Sequence, residues 1–318
     1  MTPNISRRGF VKTSLLASAG AVSLEEHTLL AQQPPTRNKL LPATKGTLPT
    51  GKLGKLELSR LILGGNLISG FAHSRDLTYV SKLLTNYFTP EKILDTLELA
   101  EAHGITAVNT NPKATAIIQR YWKERGGKLK WIVQTYPADE QHLDETVKPS
   151  IDAGADAVYI QGHNGDKMVE AGRLDVIAKI IEFIKLNNIP AGIAGHSLQV
   201  PMACEKAGVP VDFYVKTLHM SNYFTFQRVA DEPVGRNDNF WCANPDETIA
   251  FMKTVEKPWF AYKVMAAGAI PPEPAFRHAF DNGADFILAG IFDFQIADDV
   301  TYAKRVLASV NRTRPWRA

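Results

Sequence analysis

The sequence has few cysteines and no hydrophobic run long enough to cross a membrane. Its 318 residues include only Cys204 and Cys242, which cannot build the dense disulfide framework of small secreted domains but leave a single bridge open. The moderately apolar run at residues 15–24 is too short and too rich in alanine and serine for a membrane span. With 45% hydrophobic and 22% charged residues, the composition excludes collagen-like, low-complexity and fully disordered classes.

The body of the chain also has little positive charge. The formal net charge is +3, but residues 1–52 and the last fifteen residues carry the basic excess. Residues 53–303, counted separately, carry a net charge of −7. An acidic body is unsuited to a broad nucleic-acid face, so we expect a small-molecule substrate and no nucleic-acid partner.

The chain begins with the features of an export signal. A charged segment, Ser6-Arg7-Arg8-Gly9-Phe10, precedes the short apolar run, which together indicate a secretory signal. The paired arginines resemble a twin-arginine export signal, and this resemblance implies a protein that folds before it crosses the membrane. We predict a signal peptide at residues 1–31, the export machinery as a partner, and a periplasmic or otherwise extracytoplasmic location. An amphipathic first helix is the alternative, and cleavage or retention as an anchor stays open.

The rest of the chain alternates short apolar runs with helical stretches. Residues 32–52 hold four prolines and no periodic pattern, which predicts a disordered linker. Eight βα units in about 250 residues then predict a (β/α)8 TIM barrel over residues 53–311, followed by a basic tail at 312–318. A doubly wound open sheet is the alternative, but no glycine-rich phosphate turn follows the first strand. The predicted strands cover residues 59–65, 106–111, 130–135, 156–161, 191–196, 212–217, 259–264 and 285–290.

Two connections at the predicted mouth of the barrel are too long to be simple turns. Residues 66–88 follow the first strand and residues 218–243 follow the sixth, and both segments are rich in aromatic residues. Such loops are often functional lids, although their aromatic side chains could also form a local hydrophobic core.

Strand alternation predicts which side chains point into the barrel. If large apolar side chains face the helices, then Phe213, Val215, Phe260 and Tyr262 lie outside. Polar residues of the same strands and their neighbours then converge on the mouth of the barrel. They are Asn109, Gln161, His163, His196, Lys216 and Lys263.

Lys216 and Lys263 form the most informative predicted pair. Two cations on neighbouring strands, in a poorly solvated wall, would lower the pKa of at least one lysine and allow a Schiff base or general-base role. Residues 215–217 (VKT) and 263–270 (KVMAAGAI) resemble the lysine strands of deoxyribose-phosphate aldolase. The alternative is that each lysine neutralises an acid such as Asp166 or Asp293.

A second predicted constellation consists of His163, His196, His219 and Cys242. Imidazole and thiolate suit a divalent transition metal, although no ligand-type spacing supports such a site. Histidines at a barrel mouth also bind substrate or transfer protons, and His219 could be the proton partner of Lys216.

Residues 53–66 (LGKLELSRLILGGN) and 292–294 (FDF) are similar to the first and last units of aldo/keto reductases. This resemblance implies a barrel that reduces carbonyls with NADPH through Asp, Tyr, Lys and His. His163 matches the histidine, but Asn109 stands at the Asp position, Gln134 or Thr135 at the Lys position, and residues 112–115 contain no tyrosine. We therefore expect the reductase mechanism to be lost.

These patterns lead to a hypothesis of an exported enzyme with lyase- or isomerase-type chemistry on a small carbonyl or sugar-derived substrate. Lys263 is the predicted nucleophile or base, Lys216 tunes it, and His219 and His196 move protons. Three alternatives stay open: an oxidoreductase with tightly bound NADP, a metal-dependent hydrolase or isomerase, and a non-catalytic sugar-binding barrel. The cofactor is left open: the first choice is that there is none, the second is a divalent metal, and the third is NADP. The predicted substrate contacts are Asn66, Asn109, Asn111, Gln161, His163, Tyr223 and Trp241.

Overall fold

The structure, a computed structural model, describes residues 47–74, 77, 79–223 and 242–318. Eight parallel strands form a closed barrel, in which each strand pairs with the next along the chain and the last pairs with the first. The predicted TIM barrel is thereby confirmed. After a hairpin of β1 (Thr50–Leu53) and β2 (Leu56–Ser59), the barrel strands are β3 (Leu61–Gly64), β4 (Ala107–Thr110), β5 (Lys130–Thr135), β6 (Ala157–Ile160), β7 (Ala191–Gly195), β8 (Phe213–Thr217), β9 (Trp259–Tyr262) and β10 (Phe286–Gly290).

Helices cover the outside of the barrel and follow the start signals in the sequence. Thr89 accepts a hydrogen bond from the backbone N–H of Lys92, and Pro90 occupies the first helical position, as an N-terminal cap requires. The helices are α1 (Tyr79–Tyr87), α2 (Pro90–Ala102), α3 (Thr115–Arg125), α4 (Leu143–Thr146), α5 (Lys148–Asp152), α6 (Gly162–Glu170), α7 (Leu174–Leu186), α8 (Gln199–Ala207), α9 (Pro245–Met252), α10 (Pro272–Asp281) and α11 (Ile296–Ala308). Within the described residues, no helix is both long and apolar enough to cross a membrane.

The barrel interior is filled by aromatic side chains, which reverses part of the prediction. Phe213, Val215 and Phe260 pack inside the barrel rather than against the helices, and Tyr262 borders the same cluster. The rings of Phe260 and Phe286 stack with centroids 4.4 Å apart. An eight-stranded barrel must fill its own interior with side chains, and small inward residues on other strands leave room for these rings.

Because alternation is strict, this reversal moves every other side chain on β8 to the outside. Tyr214 packs in the cluster between barrel and helices, and its hydroxyl donates to Glu205 of α8. Lys216 shares the parity of Tyr214. The predictions for β4, β6 and β7 are confirmed, since Ala107, Tyr159 and Ala194 face the interior.

The N-terminal end of the barrel is closed by both ends of the described chain. Leu53 and Leu58 of the β1–β2 hairpin join the interior cluster, so the folded domain begins by Thr50 and the predicted linker boundary at residue 52 is corrected. The predicted basic tail is also not a free tail, because Arg312 and Arg314 pair with the buried Asp285. A fully buried carboxylate needs such counter-charges, which explains why these arginines pack inward.

Several predicted segments lie outside the described residues. They are the signal peptide at 1–31, the linker up to residue 46, and residues 224–241 of the loop after β8, with Trp241 among them.

Candidate active site

A cavity of about 1060 Å³ opens at the C-terminal ends of the barrel strands, where TIM-barrel enzymes carry their chemistry. Residues at or after the ends of β3, β4, β5, β6, β7, β9 and β10 form its wall. The cavity therefore draws described residues from every barrel strand except β8. Its polar lining consists of Asn66, His73, Ser74, Asn109, Asn111, Lys113, Gln134, Tyr136, Tyr159, Gln161, His163, Asn164, His196, Tyr262, Lys263, Gln295 and Asp299.

His196 is held at the end of β7 by Asp166 of α6. The Nδ1 atom of His196 lies 2.8 Å from Oδ2 of Asp166, and the backbone N–H groups of His196 and Ser197 donate to Oδ1 of the same carboxylate, each at 3.0 Å. Burial raises the pKa of Asp166 to about 6, although the backbone donors and the Lys216 ammonium favour its charged form. A carboxylate acceptor fixes the proton on Nδ1 and leaves Nε2 as the basic nitrogen of the neutral ring.

The first turn of α6 packs directly against the His196 ring. A Cβ atom on Gly162 would lie 2.7 Å from Cε1 of His196 and 2.7 Å from the hydroxyl oxygen of Tyr262. The rings of His196 and Tyr262 have centroids 5.5 Å apart. Glycine is therefore required here for close approach, and the packing fixes the position of the imidazole.

Lys263 follows β9 in an unusual backbone conformation and lines the cavity. Its φ angle is +60°, in the left-handed region that non-glycine residues seldom occupy. Ala267, in the same loop and also on the cavity wall, has a φ of +55°. Strained backbone of this kind gathers at functional sites, so the loop after β9 points to a role for Lys263.

Lys216 does not share the cavity with Lys263, which corrects the predicted lysine pair. It is 1% exposed and lies outside the cavity lining, and its Nζ atom donates to Oγ1 of Thr217 at 2.7 Å and to the Thr217 carbonyl at 3.1 Å. Burial lowers the pKa of this lysine. Thr217 in turn donates from Oγ1 to the carbonyl of His196, so Lys216 supports the position of His196.

His219 is also placed behind the cavity wall rather than in it. Its Nε2 atom accepts from the backbone N–H of Cys242 at 2.9 Å, and its Nδ1 atom donates to the Met220 carbonyl at 3.2 Å. Burial lowers the pKa of His219 to about 4, so the ring is neutral. With both nitrogens engaged, His219 has no geometry for the predicted proton transfer.

The predicted metal constellation is not assembled. His163 and His196 line the cavity, whereas His219 and Cys242 are buried behind it. In the part of the chain that the structure describes, no three histidine, cysteine or acidic side chains converge on a metal position.

Most of the predicted substrate contacts do line the cavity. Asn109 accepts from the Tyr159 hydroxyl and donates to the Ile132 carbonyl, so its amide is engaged within the barrel. Asn66 donates to Nε2 of His73 at 2.6 Å, which leaves its carbonyl oxygen as an acceptor. Gln161 caps α6 with its carbonyl oxygen and keeps its amide nitrogen as a donor. Tyr223 packs on His219 instead, with ring centroids 5.5 Å apart, and lies off the described lining.

Asn111 is the most informative of these contacts. It follows β4, is 2% exposed, and accepts from the backbone N–H of Lys113 with its Oδ1 atom at 3.0 Å. That hydrogen bond fixes the orientation of the amide. Its Nδ2 atom is buried and has no hydrogen-bond partner among the described residues. A buried donor without a partner on a cavity wall is suited to an acceptor atom of a ligand.

The long loop after β3 combines both predicted roles. Phe71 lines the cavity, as a lid residue would. Phe88 stacks on Phe292 with centroids 5.6 Å apart, and the Tyr87 hydroxyl donates to Asp293, as in a local core. The aromatic residues of this segment thus divide between the cavity and the packing that supports it.

Sequence reasoning missed three residues of the site. Asp166 was considered only as a neutralising partner for lysines, although its position on the helix after β6 could have suggested a histidine partner. Tyr262 was expected outside the barrel. Asp299, in the first turn of α11, lines the cavity, and burial together with the neighbouring Asp298 raises its pKa to about 7. Nothing in the spacing of the sequence singles out Asp299.

No protein-family model matches the chain, and no curated protein matches it in sequence. Among solved structures, the chain is similar to an aldo-keto reductase from Pseudomonas aeruginosa, with 17% identity and a TM-score of 0.58 over 83% of this chain and 98% of that one. It is similar to a glycerol dehydrogenase from Gluconobacter oxydans, with 13% identity and a TM-score of 0.54 over 82% and 90% of the two chains. A truncated 3-deoxy-D-arabino-heptulosonate 7-phosphate synthase from Thermotoga maritima follows, with 10% identity and a TM-score of 0.53 over 85% and 96%. At these identities the likeness concerns the barrel fold, which different chemistries share.

Proposed function

We propose that this barrel is an enzyme that transfers protons beside the carbonyl group of a small polar substrate, in lyase- or isomerase-type chemistry. One observation carries the proposal: an Asp166-anchored His196 and the strained Lys263 line the same cavity. A positioned base and an amine in one cavity are the two groups that such chemistry requires.

His196 is the proposed general base. Donation from Nδ1 to Asp166 orients the ring and selects the tautomer whose Nε2 is the basic nitrogen, which is the proposed acceptor of a proton from the carbon next to the carbonyl. The resulting imidazolium is stabilised by the same carboxylate and can return the proton at the neighbouring position or to a leaving group. Asp166 is a positioning residue in this scheme, because it acts through His196.

Lys263 is the proposed carbonyl-activating group. As a neutral amine it can add to the carbonyl carbon and expel water, which gives an imine that withdraws electrons from the neighbouring carbon. As an ammonium it can stabilise the negative charge that develops on the carbonyl oxygen. The first role leaves a covalent species that reduction can trap, and the second does not.

We also propose that the reaction takes place outside the cytoplasm. The support is the Arg7-Arg8 pair followed by a short apolar run, which together are similar to a twin-arginine signal. A fusion of residues 1–31 to a reporter that is active only after export tests this. A reporter that stays in the cytoplasm, or is exported equally well after both arginines are changed to lysine, contradicts it.

Proton exchange in heavy water tests the chemistry. The protein is incubated in D₂O with a panel of small hydroxyketones and oxoacids, and deuterium incorporation beside the carbonyl is followed by NMR. We expect exchange with at least one compound, reduced about 10²- to 10⁴-fold by His196→Gln. The matched control is His142→Gln, because His142 forms the same kind of contact with Asp139, at 2.8 Å, on the exposed surface.

Borohydride trapping separates the two roles of Lys263. If an imine forms, reduction in the presence of an exchanging substrate adds a mass to the peptide that contains Lys263, and Lys263→Met abolishes it. Exchange without trapping assigns the ammonium role. Tight sugar binding with no exchange and no turnover, undisturbed by Lys263→Met, would replace the proposal with a non-catalytic binding barrel.

An oxidoreductase with bound NADP is the second candidate, and the size of the cavity favours it. A volume of about 1060 Å³ exceeds what a small sugar needs. The residues fit such a cofactor poorly: the described lining offers Lys113 and Lys263 but no arginine for its phosphates. Asn109, at the position of the reductase aspartate, has its amide engaged by Tyr159 and Ile132. Mass analysis of protein purified from its own exported pool tests this, since a retained nicotinamide would favour the oxidoreductase.

A further inference from the structure

The cavity has two sides with different chemistry. His196 and Lys263 follow β7 and β9, whereas Asn66 and Asn111 follow β3 and β4. In a closed eight-stranded barrel with this strand order, β3 lies opposite β7. A substrate that reaches His196 and Lys263 with its carbonyl group therefore extends its other end toward Asn66 and Asn111.

The β3–β4 side presents donors with a fixed orientation. The Oδ1 atom of Asn111 is occupied by the backbone N–H of Lys113, so Nδ2 cannot exchange places with it without losing that bond. Nδ2 is buried and has no partner among the described residues, a state that is unfavourable when nothing binds there. The buried, oriented amide is an independent indication that a ligand supplies an acceptor at this point.

The same side carries positive charge, in contrast to the rest of the domain. Lys113 lines the cavity two residues after Asn111, and its Nζ atom lies 5.9 Å from the ring centroid of Phe71, which also lines it. Among the described lining residues, Lys113 is the charged side chain on this side, Lys263 lies on the other side, and the one carboxylate, Asp299, comes from α11. Because residues 53–303 carry a net charge of −7, this local excess is not part of a general basic surface.

We propose that the substrate is a sugar acid, whose carboxylate is bound by the Asn111 amide and the Lys113 ammonium. This inference rests on the proposed function for the position of the carbonyl group, but its binding contacts stand apart from the chemistry. A carboxylate supplies the acceptor that Nδ2 lacks and the negative charge that Lys113 complements. The side-chain carbonyl oxygen of Asn66 and the amide nitrogen of Gln161 are suited to neighbouring hydroxyl groups, which a sugar acid has and a simple oxoacid lacks.

Calorimetric titration of the full-length protein tests the proposal without requiring turnover. The ligands are galacturonate, neutral galactose as its matched control, and galactose 6-phosphate as the phosphorylated alternative. We expect galacturonate to bind at least about tenfold more tightly than galactose, since a charge-assisted pair contributes more than a neutral hydrogen bond. Equal affinity for the acid and the neutral sugar would overturn the proposal, and preference for the phosphate would replace the carboxylate.

Three variants locate the binding of the acid. Asn111→Asp keeps the Oδ1 acceptor for Lys113 N–H but replaces the donor with a negative charge, so we expect affinity for galacturonate to fall at least tenfold while galactose binding changes little. Lys113→Met should act in the same direction, and the exposed Lys123→Met is its control. Asp299→Asn should tighten galacturonate binding, because it removes the one carboxylate of the described lining. Unchanged acid affinity in both Asn111→Asp and Lys113→Met contradicts the assignment.

Failure of this inference can be told apart from failure of the proposed function. If His196→Gln and Lys263→Met bind galacturonate normally and no acid exchanges deuterium, the sugar-acid site stands and the chemistry is wrong. If neutral carbonyl compounds exchange in a His196-dependent way while galacturonate has no advantage, the chemistry stands and the substrate class is wrong.

Discussion

The two ends of the barrel differ in how a buried polar side chain is paired. At the N-terminal end, the fully buried Asp285 receives Arg314 at 2.6 Å, Arg312 at 3.4 Å and the backbone N–H of Trp259 at 2.9 Å. At the C-terminal end, Asn111 keeps a buried donor without a described partner, and Lys263 holds a left-handed backbone. At the N-terminal end the buried carboxylate has its counter-charges, whereas at the cavity end a buried donor has no described partner. In TIM barrels the first condition serves stability and the second serves catalysis.

The N-terminal end of the barrel also uses aromatic rings to hold its charges. The Arg60 guanidinium lies 3.9 Å from the ring centroid of Trp316 and donates to the carbonyl oxygen of Ala318 at 2.8 Å. Burial lowers the pKa of Arg60 to about 10, with the Asp285 carboxylate acting in the opposite direction. The C-terminal residues thus seal the end of the barrel that faces away from the cavity, and changes there should affect folding before they affect ligand binding.

The largest effect on stability is expected from Asp285→Ala. This change leaves two buried arginines without their counter-charge, and we expect the free energy of unfolding to fall by about 3–5 kcal/mol, measured by urea denaturation. Asp156→Ala is the matched control, because Asp156 stands in the same Gly-Ala-Asp sequence and accepts from the backbone N–H of Trp131. Asp156 is partly exposed and its ion pair with Lys130 is longer, at 3.5 Å, so we expect a loss of about 1 kcal/mol. Equal losses at both positions would contradict the role given to the arginines.

At the other end, Gly162→Ala should impair turnover more than it impairs folding. The new Cβ would meet the His196 ring and the Tyr262 hydroxyl at 2.7 Å, so the imidazole must shift. We expect a stability loss of about 1–3 kcal/mol and a loss of turnover approaching 10²-fold, because small misplacements of a catalytic group are costly.

Gly172→Ala is the control, just beyond the C-terminal end of the same helix. Gly172 has a φ of +68° with nothing within 4 Å of a new Cβ, so the substitution strains the backbone by about 1 kcal/mol without reaching the cavity. Turnover should stay unchanged. A turnover loss in Gly172→Ala equal to that in Gly162→Ala would mean that general destabilisation, not the His196 ring, explains the effect.

The same two ends show how far the sequence predicts the fold. Strand order and positions in the barrel followed from apolar runs and glycine turns: β5 was predicted at its observed bounds and the other barrel strands within two residues at each end, whereas the β1–β2 hairpin was not predicted. The orientation of β8 and β9 was wrong, because alternation gives two faces but does not say which one is inside. That choice depends on the volume that all eight strands must fill together, and Phe213 and Phe260 fill it where other strands supply alanine.

The location of the cavity was predicted, and only part of its lining. Lys263, His196, Gln161 and Asn111 line the cavity because any polar residue just after a barrel strand lies near the mouth. Lys216 failed with the parity of β8, since one wrong face moves a whole set of side chains, whereas His219 lies beyond the end of the strand, where alternation predicts nothing. Asp166 could not be assigned to His196 from the sequence, because thirty residues separate them and only the closed barrel brings them to 2.8 Å.

Turnover at the cavity end of the barrel should also depend on pH in a range where the protein remains folded. Burial raises the pKa of Asp166 to about 6, so below that pH the carboxyl gains a proton and no longer anchors the His196 ring as a charge. We expect turnover to fall up to about tenfold per unit of pH below 6. The folded state takes up this proton before the unfolded chain does, so the group by itself adds stability as pH falls from about 6 to about 4.

The activity loss therefore should not coincide with unfolding, which a melting curve at each pH can check. Lys216 and His163 are the other charged or titratable groups that act on Asp166, and neither is changed in the test variant. Asp166→Asn should lower the maximal turnover and remove the decrease below pH 6 from the pH–activity profile. Asp299→Asn, which alters a different carboxyl on the cavity wall, should leave the decrease in turnover below pH 6 in place. If turnover still decreases below pH 6 in Asp166→Asn, a group other than Asp166 causes the decrease.

The smallest effect concerns the strained backbone of Lys263. Lys263→Gly and Lys263→Met both remove the amine, but only glycine relieves the left-handed φ of +60°. We therefore expect the glycine variant to be more stable than the methionine variant by up to about 1 kcal/mol in urea denaturation. At the exposed Lys253, which has a φ of −61°, the order should reverse, with glycine less stable by about 0.5–1 kcal/mol. If methionine is the more stable residue at both positions, Lys263 is not strained. The evidence for a functional site at the cavity end of the barrel then consists of Asn111 and the His196–Asp166 pair alone.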